Sequence, residues 1–449
     1  MHESKATLKI AYPLILSELG IISAGVIDTI MVGQLGAEQL GGAAIANIIF
    51  CTPLLFATGV SDSITALTAI ARGRKNSAQR LKEIKNNIFF FSLVMGVALM
   101  LLTLLAIFLI PVLNHDEEVV AHAGPYLAML ALTFIPLMYY NNFCSFLEGM
   151  NFVKPILVFT VISIPINIFL NWLLIYGNWG FPRLEVMGAG VATFITIIVL
   201  AVCIILYIRF SQKINQLVEA GVTKSKRLNY LMIQRILKLG VPTGFYYAFE
   251  SLAFAVTIVL MGWVGVKELA ADEIVANLLT LTFAVSTGIS SATTIRAGEA
   301  IGRENYSALR VIAKNSFQLM LIIMPIFCLF FILFREQLVG IYIDDQEVIE
   351  IASQFMLIAA VYMLADAILD VGANLLRCMG DVIFTAIATI ISYWVIGIPF
   401  GALLTFYFDF GAIGIWIGML ISVTLSATII YLRFFYLLNK ILKVEGLES

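Results

Sequence analysis

The chain has 449 residues, of which 61% are hydrophobic and 12% are charged, and its formal net charge at pH 7 is −2. A typical soluble domain has about 25% charged residues, so this composition excludes an ordinary soluble protein. Apolar runs recur along the whole chain. Each is long enough to cross the roughly 30 Å hydrocarbon core of a bilayer as a helix. The sequence therefore predicts an integral membrane protein.

Charged or Gly/Pro-rich breaks divide the chain into twelve apolar segments, and the first has no small-residue cleavage site behind it, so we expect it to be retained. The segments are continuously apolar and do not alternate, which favours helices over barrel strands. We predict an all-α integral membrane protein with twelve transmembrane helices. The predicted spans are Ile10–Val32, Gly42–Ala71, Ile88–Val112, Ala121–Phe146, Pro155–Tyr176, Met187–Phe210, Ile236–Val264, Ile274–Ala300, Phe317–Phe334, Ile349–Leu376, Val382–Phe406 and Gly411–Leu438.

The basic residues are distributed unevenly between the two sides of this topology. With twelve spans both termini lie on one side, and 24 of the 27 Lys and Arg residues fall there. Only Arg183, Lys267 and Arg335 fall on the other side. Because short cytoplasmic loops are enriched in Lys and Arg, we predict that both termini are cytoplasmic.

The two halves of the chain resemble each other at a constant separation of 229 residues. Matching pairs at this separation include Pro13 with Pro242, Gly33 with Gly262, Thr58-Gly59 with Thr287-Gly288, Gly73-Arg74 with Gly302-Arg303, Leu147 with Leu376 and Met150 with Met379. The repeat predicts two pseudo-symmetric six-helix lobes, residues 1–212 and 236–449, joined by a basic cytoplasmic linker at 213–235. Such parallel repeats favour a substrate site between the lobes near the midplane and alternating access by rocking.

Several carboxylates fall inside the predicted spans, whereas all 27 basic residues fall in loops or at span ends. These acids are Glu18, Asp28, Asp62, Glu250, Asp366 and Asp370. An ionised carboxylate is costly in hydrocarbon, so each acid either faces a cavity and binds a cation or proton, or sits at a helix end that reaches water. A cavity carboxylate that exchanges H⁺ or Na⁺ for a lipophilic cation is the simplest scheme for antiport.

Asp366 and Asp370 are four residues apart and share a helical face, so they would titrate together if both face the cavity. Asn167 and Asn171 are also four apart; they either line the cavity of the amino-terminal lobe or bond one helix to another. The aromatic side chains, 12% of the chain, either form cation–π walls for an organic cation or pack against lipid. The five cysteines are scattered singly, so neither disulfides nor a metal cage is indicated.

Six segments resemble the multidrug and toxic compound extrusion (MATE) family, and more closely its NorM-like bacterial branch. They are YPLILSELGIISAGVIDTIMVGQLGAEQLGGAAIAN from Tyr12, SFLEGMNFVKP from Ser145, NIFLNWLLIYGNWGFP from Asn167, LGVPTGFYYAFESLAF from Leu239, ATTIRAGEAIGREN from Ala292 and ADAILDVGANLLRCMGD from Ala365. The resemblance spans nearly the whole chain and implies two six-helix lobes that export organic cations, dyes and antibiotics in exchange for Na⁺ or H⁺.

The resemblance also implies roles for single residues. Asp28 matches the aspartate of the family's first-helix motif, and Glu250 and Asp366 match the acids of the NorM-like cation site, where Na⁺ would bind. Glu18 and Asp370 depart from the family pattern. If Asp370 faces the cavity, its carboxylate adds negative charge beside the cation site. The family's ion selectivity is then in doubt for this chain.

These observations favour a drug antiporter over three alternatives. A flippase of a lipid-linked precursor would need basic residues in its cavity, and an enzyme would need a catalytic or metal cluster at membrane depth, whereas the three histidines lie at or outside span ends. A channel would more usually be an oligomer of short subunits. We expect a monomer in the bacterial inner membrane that acts on small organic cations, with no nucleic-acid partner and no cofactor besides the coupling ion.

Overall fold

The computed structural model describes residues 2–108, 110, 117–219 and 228–444, and every regular element within these ranges is helical. Twelve of the described helices are long and apolar enough to cross a membrane, which confirms the predicted number. The first six are α1 His2–Gly33, α2 Ala37–Gly73, α3 Ser77–Ala106, α4 Glu117–Gly149, α5 Val153–Tyr176 and α6 Glu185–Phe210. A short helix, α7 Gln212–Glu219, follows them.

The second half of the chain repeats this pattern with two interruptions. Its helices are α8 Tyr230–Val264, α9 Val266–Gly302, α10 Tyr306–Leu333, α11 Arg335–Gly340, α12 Gln346–Met379, α13 Val382–Ile390, α14 Ile398–Phe406 and α15 Ile413–Val444. The short helix α11 precedes α12, and a π-helical segment, Ile391–Gly397, joins α13 to α14 within one span. Several helices extend beyond the predicted apolar runs because their first or last turns carry polar residues that hydropathy assigns to loops.

Helix α12 has well-defined ends. Its N-cap residue, Asp345, accepts a hydrogen bond from the Glu347 amide at 3.0 Å, which satisfies one of the amides that a helix start leaves unpaired. At the other end Gly380 adopts φ +83° and the Asp381 amide donates to the Leu376 carbonyl at 3.0 Å, the pattern of a Schellman cap. The polar face of α12 is thereby held in a fixed register.

The π-helical segment places two aromatic residues beside α8. A π-turn widens a helix by one residue, and here it precedes Pro399, which has no amide hydrogen to continue the α-helical pattern. Tyr393 in this segment is fully buried. Trp394 donates from Nε1 to the Phe249 carbonyl oxygen at 3.0 Å, which ties the segment to α8.

The described chain forms two compact units whose boundaries fall inside helices. One unit is Leu16–Gly244, and the other combines Met1–Ile15 with Phe245–Ser449. The division differs from the predicted lobes 1–212 and 236–449 because α1 and α8 each run through a unit boundary. The predicted linker 213–235 contains most of α7 and the first turns of α8, while residues 220–227 lie outside the described residues.

The first half of α1 is held in the carboxy-terminal unit by α9. Arg296 donates to the Glu3 carbonyl at 2.9 Å and to the Thr7 hydroxyl at 2.6 Å, and it also forms an ion pair with the Glu3 carboxylate. Two turns earlier in α9, Gly288 leaves room for Ile15, since a Cβ at Gly288 would lie 2.4 Å from Ile15 Cγ1 and 2.9 Å from Ile15 N. The two helices therefore meet through a glycine contact.

The first half of α8 is held in the amino-terminal unit in a similar way. A Cβ at Gly244 would lie 2.7 Å from the Phe56 ring and 2.8 Å from the Phe56 carbonyl oxygen. At the start of the helix, the Asn229 amide donates to Asn87 Oδ1 at 2.9 Å. Ile236 is fully buried in the same apolar core.

We expect Gly288→Ala to destabilise the protein and Gly262→Ala to leave its stability unchanged or improve it. Both glycines are helical, and alanine is intrinsically preferred in helices by about 0.5–1 kcal/mol. At Gly288 the added methyl group collides with the Ile15 backbone, and such overpacking costs about 1–3 kcal/mol. At Gly262 the nearest atom, Leu269 Cδ2, is 3.9 Å from the new Cβ. Thermal unfolding of both variants in detergent measures the difference; equal melting temperatures would contradict the proposed contact.

Candidate functional site

Three carboxylates of the carboxy-terminal unit lie close together and form the carboxy-terminal acid cluster: Glu250 of α8 with Asp366 and Asp370 of α12. All three side chains are half-buried. Asp366 and Asp370 are the charged groups that act most strongly on Glu250, and Asp370 also acts on Asp366. The structure thus brings Glu250 together with two acids that follow it by 116 and 120 positions on another helix, and it puts Asp370 beside the other two.

Two buried tyrosines adjoin this cluster. The Tyr393 hydroxyl is hydrogen-bonded to the Glu250 carboxylate, and it lies 3.3 Å from the hydroxyl of Tyr362 on α12. These partners are neutral. Holding several carboxylates near one another in a poorly hydrated interior costs free energy unless a cation or proton neutralises part of the charge. The cluster is therefore chemically suited to bind and release a monovalent cation.

The polar face of α12 continues beyond the acids toward its carboxyl end. Asp370 accepts a hydrogen bond from the Ser286 hydroxyl at 3.0 Å, and Asn374, one turn later, accepts one from the Thr294 hydroxyl at 2.8 Å. Both hydroxyls belong to α9. Because Asp366, Asp370 and Asn374 repeat every four residues, they lie along one face of the helix. The face that carries the acids is thus also the face that packs on α9.

Arg377 ends this polar face in the last turn of α12, which agrees with the prediction that it lies at a span end. Its side chain is buried, with a relative exposure of 3%. It donates to Asn374 Oδ1 at 3.0 Å and to the Tyr247 hydroxyl at 3.1 Å, and it stacks over the Tyr247 ring. Arg296, which bonds Glu3 and Thr7, lies within the last two turns of α9.

Asp28 stands in the amino-terminal unit and is bonded to α5. The Asn171 side-chain amide donates to the Asp28 carboxylate and also to Asn167 Oδ1, the latter at 3.1 Å. Asn167, Asn171 and Asp28 thus form a hydrogen-bonded series. The sequence spacing alone predicts only that the two asparagines share a helical face. Asn171 Oδ1 is itself buried with no hydrogen-bond partner in the described chain.

A second group of acids in the amino-terminal unit consists of Glu18, Asp62 and Glu148, which we name the amino-terminal acid triad. Asp62 and Glu18 both act electrostatically on Glu148, and Thr65 donates to the Glu148 carboxylate at 3.3 Å. Sequence analysis singled out Glu18 and Asp62 without relating them, and it left Glu148 outside the spans. The predicted fourth span stops at Phe146, whereas α4 continues to Gly149.

One sequence signal could have identified Glu148. Gly149, directly after it, packs so closely on α2 that a Cβ would lie 2.6 Å from the Thr65 carbonyl oxygen. A glycine at the end of an apolar run often marks a close approach of two helices rather than a loop. Glu148 would then have been placed against α2.

No group of three or more His, Cys, Asp or Glu side chains in the described ranges has the geometry of a metal site. A Na⁺ ion at Glu250 and Asp366 therefore stays a prediction. The structure places Asp28 and the amino-terminal acid triad in one unit and the carboxy-terminal acid cluster in the other. Each unit thus carries its own intramembrane carboxylates.

Comparison with known proteins identifies the family. The MatE family model matches residues 13–173 and 242–403, one match in each half of the chain. The chain is 31% identical to multidrug resistance protein MdtK of Proteus mirabilis, covering 100% of this chain and 99% of that protein. It is 28% identical to the probable multidrug resistance protein NorM of Bacillus licheniformis, covering 99% and 98%.

A solved structure of a MATE protein in a bent conformation shares the fold, with a TM-score of 0.87 and 20% identity, and covers 99% of this chain and 97% of that chain. The twelve apolar helices and these relatives support a multi-pass protein of the bacterial inner membrane. The two family matches, one in each six-helix half, confirm the resemblance noted in the sequence: the chain belongs to the MatE family.

Proposed function

We propose that this protein is a secondary active transporter that exports organic cations by antiport with Na⁺ or H⁺, through alternating access between two lobes. The observation that carries the proposal is the carboxy-terminal acid cluster, in which Glu250, Asp366 and Asp370 are drawn together inside membrane-spanning helices. The relatives' names, multidrug resistance proteins, support export of drugs.

The partners of the acids favour exchange over permanent neutralisation. Tyr393 supplies a neutral hydrogen bond to Glu250, and a neutral donor leaves the negative charge of that carboxylate available to an incoming cation. A Lys or Arg bonded to the same oxygens would compete with that cation. Binding of the coupling ion and binding of a cationic substrate would each neutralise the same charge, so one would displace the other.

Aromatic side chains around the cluster fit a lipophilic cation. Tyr246 is buried within the electrostatic influence of Glu250, and the Phe249 and Trp394 rings lie edge to face with centroids 6.1 Å apart. Aromatic faces attract organic cations, and the attraction grows when the cation is desolvated. A carboxylate for charge and aromatic rings for the apolar body are the contacts that such a substrate needs.

Asp28 would serve as a coupling residue of the amino-terminal unit. Its hydrogen bond from Asn171 is the kind of contact that holds an ionised carboxylate in place within a membrane helix. Protonation of Asp28 would weaken that bond and change how α1 is held against α5. This proposal takes up the role that the family resemblance implies for Asp28.

The topology completes the proposal. The excess of Lys and Arg on the side of the termini supports cytoplasmic termini, and the single chain with two units supports a monomer. No cofactor other than the coupling ion enters this scheme.

The alternative, a flippase of a lipid-linked precursor, is favoured by one observation, the buried Arg377. An anionic headgroup would need such a cation. However, Arg377 is bonded to Asn374 and Tyr247, and acids outnumber it on the same face of α12. The charge of the site therefore favours a cationic substrate.

Efflux of ethidium from proteoliposomes identifies the coupling ion. We expect ethidium to move against its own concentration gradient when the gradient of the coupling ion, Na⁺ or H⁺, is imposed alone. Without an ion gradient, ethidium should not accumulate. Vesicles without protein are the control. Equal ethidium accumulation with and without both gradients would contradict antiport.

Glu250→Gln and Asp366→Asn should each reduce gradient-driven transport to the level of protein-free vesicles while the protein still inserts and unfolds at a similar temperature. Each change keeps the shape of the side chain and removes the charge that binds the coupling ion. Glu350→Gln, at an exposed position near the start of α12, is the matched control and should transport like the wild type. Wild-type transport by both cluster variants would refute the site.

Asn171→Ala should reduce transport more than Asn167→Ala. Asn171 donates directly to Asp28, and a hydrogen bond to a charged group contributes about 1.5–3 kcal/mol, whereas Asn167 contacts Asp28 only through Asn171. Transport rates are compared at equal amounts of membrane-inserted protein, together with melting temperatures. If both variants lose stability but transport at the wild-type rate, the asparagines serve only to bond helices.

A further inference from the structure

Helices α9 and α12 are parallel neighbours in the carboxy-terminal unit, and their polar contacts define a regular register. Ser286 bonds Asp370, 84 positions later, and Thr294 bonds Asn374, 80 positions later. The Cys378 thiol donates to the Thr294 carbonyl oxygen at 3.6 Å, again a separation of 84. Each α9 residue on this face therefore lies between two α12 residues, one 80 and one 84 positions further on.

On this face, Ser290 is the residue whose hydroxyl finds no hydrogen-bond partner within the described part of the chain. It lies one turn after Ser286 and one turn before Thr294, so the register places it between Asp370 and Asn374. Its side chain has a relative exposure of 1%, and its hydroxyl has no hydrogen-bond partner in the described chain. A buried hydroxyl without a partner costs about 1–3 kcal/mol, so an occupant that bonds to it would be stabilised.

The internal repeat provides a comparison within the same molecule. The residue equivalent to Ser290 at the separation of 229 is Ser61 of α2. Ser61 donates to Asn142 Oδ1 at 2.8 Å, and Asn142 donates in turn to Ser92 at 2.9 Å. The residue equivalent to Asn142 is Val371, which cannot accept a hydrogen bond through its side chain. The second half has thus kept the serine and lost its protein partner.

We propose that Asp370, Ser286 and Ser290 form an inner station for the coupling cation, one turn further along α12 than Asp366. The proposal rests on the proposed antiport function and extends it, since the coupling ion would occupy this station as well as the outer site at Glu250 and Asp366. One carboxylate and two hydroxyls are oxygen ligands suited to Na⁺, and the same carboxylate can instead carry a proton that the hydroxyls stabilise by hydrogen bonds.

The station is closed on the side of Asn374. The oxygen of that side chain accepts hydrogen bonds from both Thr294 and Arg377, so its lone pairs are occupied. The buried positive charge of Arg377 repels a cation that would pass further along the face. The ion therefore stops at Ser290 in this conformation.

Other charged or titratable groups also face the station. They are Glu250 and Tyr246 of α8, and Asp366 and Arg377 on α12 itself. None of the four forms a hydrogen bond with the Ser290 hydroxyl in the described chain. The substitution Ser290→Ala thus isolates one ligand.

The test measures transport as a function of the coupling ion in proteoliposomes, in one series with Na⁺ and in a second with H⁺. We expect Ser290→Ala to raise the half-saturating concentration of the coupling ion roughly tenfold, because one hydrogen bond or ligand to a charged species is lost. In the H⁺ series this is a fall of about one unit in the pH of half-maximal rate. Exchange of ethidium inside the vesicle for ethidium outside, measured at equal ion concentrations on both sides, needs no release of the ion and should keep its wild-type rate. The series that shifts identifies the ion.

The matched control is Ser61→Ala, which removes the equivalent hydroxyl from the amino-terminal unit and should leave the ion dependence unchanged. Melting temperature in buffer without the coupling ion should not fall for Ser290→Ala, since no protein hydrogen bond is lost. Wild-type ion dependence of Ser290→Ala, or an equal loss of ion-driven transport and exchange, would overturn the inner station. A wild-type protein whose transport depends on neither ion would instead refute the antiport function itself.

Discussion

The cost of burying a carboxylate in a membrane-spanning helix governs the polar architecture of this protein. Water cannot solvate such a group in the hydrocarbon region, so the protein must supply hydrogen bonds or a cation. Here neutral donors bond four of the intramembrane acids: Asn171 bonds Asp28, Thr65 bonds Glu148, Tyr393 bonds Glu250 and Ser286 bonds Asp370. Hydroxyls and amides stabilise these side chains without cancelling their charge. A mobile cation is then the natural means of completing the neutralisation.

Equivalent positions in the two halves of the repeat carry side chains of different charge. Glu148, which joins Glu18 and Asp62 in the amino-terminal unit, is equivalent in the repeat to Arg377, which is buried against Tyr247 in the other unit. The charge at this one equivalent position is negative in the first half and positive in the second. The duplicated fold has therefore kept its backbone pattern while its two polar interiors have diverged, which is consistent with coupling groups that are not interchangeable.

The exchange of half-helices gives each compact unit a segment of the other half of the chain. The first turns of α1 are held in the carboxy-terminal unit by Arg296, and the first turns of α8 pack in the amino-terminal unit through Gly244. Pro13 and Pro242 lie two residues before the respective unit boundaries. A proline inside a helix removes one backbone hydrogen bond, so the helix is weakened close to where it leaves one unit and enters the other.

A bilayer requires long apolar segments, so the sequence by itself determined the membrane class and the twelve spans. It also determined the internal repeat. Most of the intramembrane acids could be identified because they stand out against an apolar background. Hydropathy reports that a segment crosses the membrane, but not which of its faces packs on which neighbour. Only the tertiary structure shows that Glu148 interacts electrostatically with Glu18 of α1 and Asp62 of α2. It also shows that Arg377 is buried and that Asn171 donates a hydrogen bond to Asp28. The structure also shows that the Ser290 hydroxyl has no hydrogen-bond partner in the described chain. The contacts between α9 and α12 join residues 80 or more positions apart, and no local sequence pattern encodes them.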